Sequence, residues 1–175
     1  MNLKKYIRSI KNYPKKGILF RDITTLLENE KAYYSCINQL AKLSKKYQIN
    51  KIAAIESRGF VFASTLSYLL KKPLVLLRKK NKLPGKKISI NFKLEYGNST
   101  IEMHKNSIKK NDSILIIDDL IATGGTAEAS AKLVEKLKAN VAAFIFVIDL
   151  YDLGGKNVLY KKGYKVESLI KFPGH

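Results

Sequence analysis

The sequence SILIIDDLIATGGT, residues 113–126, places an apolar run directly before two adjacent carboxylates, Asp118 and Asp119. A small, glycine-rich segment, Ala122–Thr126, follows, and a helical pattern begins after it. This order predicts a strand over Ser113–Ile117, then a ligand-binding loop, then the N-terminus of a helix. Backbone N–H groups at such a junction can hold a phosphate, while the acids bind a polyhydroxylated group beside it.

Alternating strands and helices are expected on both sides of this stretch. Apolar spacing predicts a helix over Glu30–Tyr47. A strand, a helix and a strand are then predicted at Ile52–Ile55, Phe60–Leu70 and Leu74–Leu77. Downstream, the near-continuous apolar run Val141–Ile148 is typical of a strand in a parallel sheet covered on both faces. We therefore expect an α/β domain in which a parallel twisted sheet is flanked by helices.

Two segments depart from this alternation. The amphipathic pattern of residues 2–10 predicts a short helix. Pro14 and Gly17 then predict a turn, followed by an extended stretch that ends at Asp22. Residues 79–102 are polar and basic, and we expect a long flexible loop there that could form a two-stranded flap. Because a long segment of this kind inside a compact domain is more often a lid than a linker, it is a candidate lid.

Length and composition indicate one globular domain over residues 1–175. Hydrophobic residues make up 46% of the chain, and the longest apolar run, Val141–Ile148, is too short to cross a bilayer. The lysine-rich first sixteen residues do not resemble a signal peptide. The single cysteine, Cys36, fits a reducing compartment, and we predict it to be a buried thiol. We expect a cytoplasmic protein with no membrane partner.

The net charge of +19 raises the alternative of a nucleic-acid-binding module. However, the charge is spread along the chain in pairs such as Lys45-Lys46, without a dense basic block interleaved with aromatic residues. The chain has 29 lysines against 4 arginines, and three arginines fall in the motifs described below: Arg21, Arg58 and Arg78. We interpret the lysines as solvated surface charge, expect no nucleic-acid partner, and expect their field to steer a polyanionic substrate.

Four further motifs accompany the acid pair: GILFRD at 17–22, ESRGF at 56–60, LEYG at 94–97 and FPGH at 172–175. In order and spacing, the set resembles the adenine phosphoribosyltransferases, a branch of the type I phosphoribosyltransferase family. The resemblance extends from about Tyr6 to His175. The glycine-rich loop has no P-loop lysine, and the chain has no G-x-G-x-x-G, so two common nucleotide sites are excluded.

The resemblance implies the type I phosphoribosyltransferase fold, with a small N-terminal hood within about residues 1–30 and a flexible loop within about 79–102. It implies that phosphoribosyl pyrophosphate (PRPP) reacts with adenine to give AMP and diphosphate in purine salvage. It further implies a homodimer, and Mg²⁺ held through PRPP and water rather than directly by protein groups.

The resemblance also implies which residues bind PRPP. A five-residue loop would hold the 5-phosphate: Ala122, Thr123, Gly124, Gly125 and Thr126. Asp118 and Asp119 would accept hydrogen bonds from the ribose hydroxyls. Arg58, in a turn directly after a strand, would grip the leaving diphosphate, and a non-proline cis peptide would lie at Glu56–Ser57.

A basic stretch after the next strand would reach the diphosphate in the neighbouring subunit of the dimer: Arg78, Lys79 and Lys82. Here the chain departs from the family pattern, because Asn81 stands where the family has a glycine. Asn tolerates left-handed backbone geometry, so we expect the turn to be kept.

The catalytic residues implied are Glu95, Tyr96 and Arg58. The adenine nitrogen loses a proton as its bond to the ribose forms, and Glu95, carried on the lid, would take that proton. Tyr96 would shield the transition state from water.

The adenine site implied by the resemblance lies around the first motif. Phe20 would stack on the ring, backbone groups of Leu19 and Arg21 would read its hydrogen-bonding edge, and Leu120 would pack on the other face.

Two alternatives within the PRPP-binding proteins stay open. An enzyme for hypoxanthine, guanine or xanthine would share the PRPP stretch but lack the Leu19–Asp22 clamp. A non-catalytic PRPP-binding regulator would bind PRPP without turnover, and the presence of Glu95 argues against it.

Overall fold

The structure is a computed structural model that describes residues 1–94 and 97–174. Glu95 and Tyr96, to which catalytic roles were assigned, lie outside the described residues, as does His175 of the C-terminal motif. Their roles therefore stay predictions from sequence.

The described residues form the following elements, in chain order. They are β1 (Arg8–Lys11), β2 (Leu19–Asp22), α1 (Thr24–Leu27), α2 (Glu30–Ser44), β3 (Lys51–Ile55), α3 (Gly59–Leu70), β4 (Leu74–Lys79), β5 (Lys87–Leu94), β6 (Gly97–His104), β7 (Ser113–Ile121), α4 (Gly125–Lys136), β8 (Asn140–Leu150), α5 (Gly155–Lys161) and β9 (Val166–Phe172). Short 3-10 turns occur at Leu3–Tyr6 and Tyr151–Leu153. Within 1–94 and 97–174, no helix is long and apolar enough to cross a membrane.

A sheet with the strand order β5-β6-β4-β3-β7-β8-β9 forms the centre of the described chain. Strands β4, β3, β7, β8 and β9 run parallel, and the β5–β6 hairpin adds antiparallel strands at one edge. One buried cluster joins the sheet to α2 and α3, and another joins its opposite face to α4. The predicted parallel sheet flanked by helices is thus confirmed.

The parallel strands bring the predicted motifs to one edge. Because β3, β7 and β8 run in the same direction, the loops that follow them all emerge at the carboxyl edge of the sheet. Ligands bind to open α/β sheets at this edge. Residues that are more than sixty positions apart in sequence, such as Arg58 and Asp119, are thereby placed side by side.

The N-terminal segment does not form the helix predicted for residues 2–10. After one 3-10 turn, β1 pairs antiparallel with β2, and Arg8 lies opposite Asp22. Arg8 Nε donates to Asp22 Oδ2 at 3.1 Å. Hydrogen bonds to Asp22 from the Thr24 hydroxyl and N–H, with the Arg8 pair, lower the pKa of Asp22 to about 2. A partner fourteen residues away therefore determines this conformation, and local periodicity does not reveal it.

Strand β7 extends beyond its predicted end at Ile117. It continues to Ile121 because parallel pairing with β8 persists, with Leu120 opposite Ile148. Asp118 and Asp119 consequently lie within the strand rather than after it, so the backbone ladder fixes their directions.

The predicted loop at 79–102 contains the β5–β6 hairpin, so its two-stranded form is confirmed. It joins the sheet through β4, where Arg78 lies opposite Glu102. Asn81 adopts a φ of 63°, so the expected left-handed turn is kept without a glycine. Glu102 is buried, accepts the Asn81 N–H at 3.0 Å and pairs with Lys87 at 2.9 Å.

Candidate active site

The glycine-rich loop ends at the N-terminus of α4. Gly124 is the N-cap residue with a φ of 89°, and it offers no side chain to cap the helix. The helix dipole and the first-turn N–H groups therefore favour an anion at this point. A cavity of about 200 Å³ lies here, lined by Asp118, Leu120, Ile121, Ala122, Thr123, Gly124, Gly125, Thr126, Ala127 and Phe146.

Gly155 holds this loop in place from the start of α5. Its N–H donates to the Ala122 carbonyl at 2.9 Å. A Cβ on Gly155 would lie 2.3 Å from that oxygen and 2.6 Å from the Gly124 nitrogen, so only glycine fits. Gly155 was not predicted to be part of the site. The Gly-Gly pair after a buried parallel strand could have indicated this role, because residues in that position lie at the carboxyl edge of the sheet, where ligands bind.

The acid pair lies at the centre of the site. Asp119 is 4% exposed, whereas Asp118 is half-buried, and the Asp119 N–H donates to Asp118 Oδ1 at 2.8 Å. Arg58 Nε lies 2.9 Å from Asp119 Oδ2, but the pair is not aligned as a hydrogen bond. Within the described residues, Asp119 Oδ2 and Arg58 Nη1 are buried polar atoms without a hydrogen-bond partner. Such atoms are expected where a polar ligand binds.

Burial and mutual repulsion act on both carboxyl groups. Burial raises the pKa of Asp118 well above its usual value, and the neighbouring charge of Asp119 raises it further. Burial also raises the pKa of Asp119, against the opposing effect of the Arg58 guanidinium. Two desolvated acids side by side oppose folding, which is typical of a functional site.

Arg58 connects the hood with the acid pair. It is the N-cap of α3, and Gly59 behind it allows a close approach to β7, since a Cβ there would lie 2.9 Å from Asp118 Oδ1. The Arg58 guanidinium carbon lies 5.0 Å from the centre of the Phe20 ring. The predicted cis peptide at Glu56–Ser57 is present. Arg58 thus touches both the hood and the acid pair.

A cavity of about 320 Å³ joins these groups to the β5–β6 hairpin. It is lined by Ile55, Glu56, Ser57, Arg58, Leu77, Lys79, Phe92, Ser99, Thr100, Ile101, Asp118, Asp119, Leu120 and Thr126. The predicted residues Arg58, Lys79 and Leu120 therefore share one cavity with the acids. The hairpin residues in this lining were not anticipated, because nothing in the local sequence indicates which strand face meets the site.

Arg78 and Lys82 lie to one side of this cavity. Arg78 donates to the Glu56 carboxylate through Nε at 3.3 Å and Nη2 at 3.2 Å, and to the Lys82 carbonyl through Nη1 at 3.0 Å. Lys82 lines a separate, larger groove of about 870 Å³. Lys79 lines both this groove and the central cavity. Glu56 was not predicted as a side chain of the site.

The predicted adenine clamp lies on β2. Phe20 is half-buried and makes an edge-to-face contact with Tyr13 at 5.1 Å. The Arg21 side chain is buried, donating to the Pro173 carbonyl at 2.9 Å and lying 4.4 Å from the Phe172 ring. This side chain fastens the hood to the C-terminal segment, so Arg21 is held by its side chain while its backbone lies in β2 beside Phe20.

The oxygen donors of the site suit Mg²⁺ only in part. Among residues 1–94 and 97–174, no group of three or more His, Cys, Asp or Glu side chains is arranged to hold a metal. Asp118 and Asp119 do offer the oxygen ligands that Mg²⁺ prefers, and Asp119 Oδ2 accepts no hydrogen bond. The site therefore fits Mg²⁺ bound largely through substrate oxygens and water.

Residues 22–173 match the family model of the phosphoribosyl transferase domain. The chain is 69% identical over 175 residues to an adenine phosphoribosyltransferase of Pelagibacter ubique, covering all of both chains. It is 48% identical to that of Haemophilus ducreyi, covering 99% of this chain and 97% of the relative.

Solved structures of adenine phosphoribosyltransferases also resemble this chain. The adenine phosphoribosyltransferase of Thermoanaerobacter pseudethanolicus superposes with a TM-score of 0.93 at 45% identity, covering 97% of this chain and 98% of that one. The Saccharomyces cerevisiae enzyme, complexed with an imino-altritol bisphosphate and adenine, superposes with a TM-score of 0.87 at 36% identity, covering 95% and 96%.

Replacing Gly155 by Ala is expected to displace the glycine-rich loop. The added Cβ would overlap the Ala122 carbonyl, and overpacking of this kind costs about 1–3 kcal/mol. We expect PRPP affinity to fall by at least about tenfold, as one 1.4 kcal/mol loss gives, in isothermal titration. The control is Gly154→Asn, because Asn tolerates the φ of 74° at this position and nothing lies within 4 Å of the new Cβ. Equal losses of PRPP affinity in both variants would contradict this role.

Replacing Asp118 by Asn is expected to raise the thermal midpoint at neutral pH. Because the folded pKa of Asp118 is raised, its ionisation opposes folding, and stability is lost as pH rises from about 4 through that raised value. Asn removes the charge but keeps an oxygen for the Asp119 N–H. We expect a gain of about 2–4 °C at pH 8, the shift that about 1 kcal/mol gives in a chain of this size, and little gain near pH 4.

Asp112→Asn is the control, and it is expected to lower the thermal midpoint at neutral pH. Burial raises the pKa of Asp112, but the Lys109 N–H and Lys51, at 3.0 Å, outweigh it and leave the pKa lowered. Its charge therefore stabilises the fold at neutral pH, and the benefit is lost as pH falls through the lowered pKa. A Tm change of the same sign in Asp118→Asn and Asp112→Asn would refute the conclusion that the Asp118 charge opposes folding.

Proposed function

The chain belongs to the adenine phosphoribosyltransferases of the type I phosphoribosyltransferase family, and from this we infer that it transfers the phosphoribosyl group of PRPP to adenine in purine salvage. The products are AMP and diphosphate. The observation that carries the inference is one cavity in which a buried acid pair, Arg58 and the N-terminal end of α4 meet beside the hood.

The proposed binding mode follows from the charges around that cavity. The glycine-rich loop, 122–126, would hold the 5-phosphate at the helix N-terminus. The ribose diol would donate to Asp118 and Asp119, whose carboxylates are acceptors. The leaving diphosphate would lie against Arg58, which lines the cavity, and the 78–82 stretch of the neighbouring subunit would reach it from the other side.

In the proposed reaction, the bond between C1 of the ribose and the diphosphate oxygen breaks and a bond from C1 to an adenine nitrogen forms. Positive charge develops on the ribose, and the buried acid pair near it would stabilise that charge. Arg58 would stabilise the negative charge on the leaving group. Stacking on Phe20, with Leu120 on the opposite face, would hold the adenine ring in line for attack.

The proton lost by adenine is assigned to Glu95, with Tyr96 excluding water. Support comes from the sequence and from the position of β5, because Phe92, three residues before Glu95, lines the central cavity. Mg²⁺ would neutralise diphosphate charge when bound, and Asp118 and Asp119 would hold it through water and the ribose hydroxyls.

We also propose a homodimer in the cytoplasm. The outer surface of α3 and β4 carries large apolar side chains with high exposure: Val61 39%, Tyr68 88%, Leu69 49% and Leu76 37%. Arg78 adjoins this surface through Phe60, whose ring centre lies 6.0 Å away. A partner packed there would bring the Arg78, Lys79 and Lys82 stretch close to the neighbouring site. The buried free thiol of Cys36 is compatible with a reducing compartment.

The function is tested by measuring AMP formation from PRPP with adenine, hypoxanthine, guanine and xanthine in turn. We expect kcat/KM for adenine to exceed that for the 6-oxopurines by at least about 10⁴-fold, since a site built for one hydrogen-bonding edge leaves polar groups unpaired with the other. Turnover with a 6-oxopurine alone would indicate an enzyme for another base. PRPP binding without any turnover would indicate a regulator.

Glu95→Gln is expected to lower kcat by about 10²–10⁴-fold while changing the dissociation constant for PRPP by less than about threefold. Gln keeps the size and a hydrogen-bonding oxygen but cannot accept the proton from adenine. Steady-state kinetics and PRPP titration provide the two measurements. A parallel loss of affinity and rate would instead assign Glu95 to positioning.

A further inference from the structure

Glu56 is a buried carboxylate at the carboxyl edge that no reaction step uses. It lies directly after β3 and directly before Ser57 and Arg58. Its side chain is 11% exposed, and it accepts three hydrogen bonds. Oε2 accepts the Lys79 N–H at 2.7 Å and Arg78 Nε at 3.3 Å, and Oε1 accepts Arg78 Nη2 at 3.2 Å.

These bonds connect two strands that carry different parts of the basic site. The backbone N–H of Glu56 also donates to the Leu77 carbonyl at 2.9 Å, so the ends of β3 and β4 are fastened by backbone and side chain together. The Arg78 guanidinium and the Glu56 carboxylate form a bidentate pair, the geometry that arginine and carboxylates prefer. Because Arg78 Nη1 also donates to the Lys82 carbonyl, Glu56 is linked directly or through Arg78 to three of the four cationic residues in 78–82: Arg78, Lys79 and Lys82.

The charge on Glu56 is maintained in this setting. Burial alone would raise its pKa, but the hydrogen bonds from Arg78 and the Lys79 N–H together outweigh burial and leave the pKa below its usual value. The carboxylate is therefore ionised at neutral pH.

We propose that Glu56 is a positioning residue for diphosphate binding: it orients the Arg78 guanidinium and the Lys79 backbone so that the 78–82 segment presents its cations to the diphosphate of PRPP. This inference rests on the proposed function, in which that segment binds diphosphate. Glu56 itself, as an anion, does not contact diphosphate; it acts through Arg78.

The test is titration of Mg²⁺-diphosphate and of PRPP into Glu56→Gln, Glu56→Asp and the unaltered protein. Glu56→Gln cannot pair with both donors of Arg78, and we expect diphosphate affinity to fall by about tenfold or more, the loss that follows when charge-assisted hydrogen bonds no longer orient an arginine. Glu56→Asp keeps the charge and should recover part of that affinity. In turnover, KM for PRPP should rise while KM for adenine stays within about twofold.

A double substitution separates positioning from general stability. If Glu56 acts mainly through Arg78, Glu56→Gln should weaken diphosphate binding much less in an Arg78→Ala background than in the unaltered protein, because only the contact to the Lys79 N–H is left to change. The control for a broken ion pair is Glu167→Gln on β9, which loses contacts to Lys46 at 2.9 Å and Tyr47 at 3.2 Å and should leave diphosphate affinity unchanged.

Unchanged diphosphate affinity in Glu56→Gln, or additive losses in the double variant, would overturn the proposal. Because binding is measured without adenine, these outcomes are distinct from failure of the proposed function, which would appear as absence of AMP formation by the unaltered protein.

Discussion

The placement of two adjacent carboxylates, one buried and one half-buried, at the end of the central parallel strand is the constraint around which the site is built. Asp119 lies within the β7 ladder and is almost completely buried, so its charge cannot be relieved by solvent. Arg58, at the N-terminus of α3, lies 2.9 Å away and supplies the compensating charge. The pair still opposes folding, because burial raises the pKa of both acids. The surrounding fold provides the stability that keeps them in place, as is usual for functional sites.

Close backbone approach is the second requirement of this arrangement. Gly59 lets α3 reach β7, and Gly155 lets α5 hold the loop before α4. At both positions a Cβ would lie within 3.0 Å of neighbouring backbone atoms. The Gly59 contact brings the loops after β3 and β7 into one cavity, and the Gly155 contact holds the second of these loops from behind.

The charges divide into two classes with different physical roles. Most lysines extend from the surface and contribute to a net charge of +19, which would steer an anionic substrate. The four arginines each have a defined partner: Asp22 for Arg8, the Pro173 carbonyl for Arg21, Asp119 for Arg58 and Glu56 for Arg78. A planar donor fork suits such fixed pairs, whereas a flexible ammonium group does not. The sequence indicated this role for three of the four, and the β1–β2 pairing supplied the fourth.

What the sequence by itself determined is the alternation of helices and parallel strands from Glu30 onward and the strand–loop–helix at 113–126, because apolar periodicity and glycine spacing depend on near neighbours in the chain. The strand–loop–helix reading of 113–126 is confirmed on this basis, with β7 longer than predicted. Only the tertiary structure decided that residues 8–11 form a strand, that Gly155 holds the glycine-rich loop and that Glu56 orients Arg78. Each of these depends on a partner 14 to 33 positions away. Such contacts arise when parallel strands bring their carboxyl ends to one edge of the sheet, or when a hairpin closes. The local sequence pattern therefore does not reveal them.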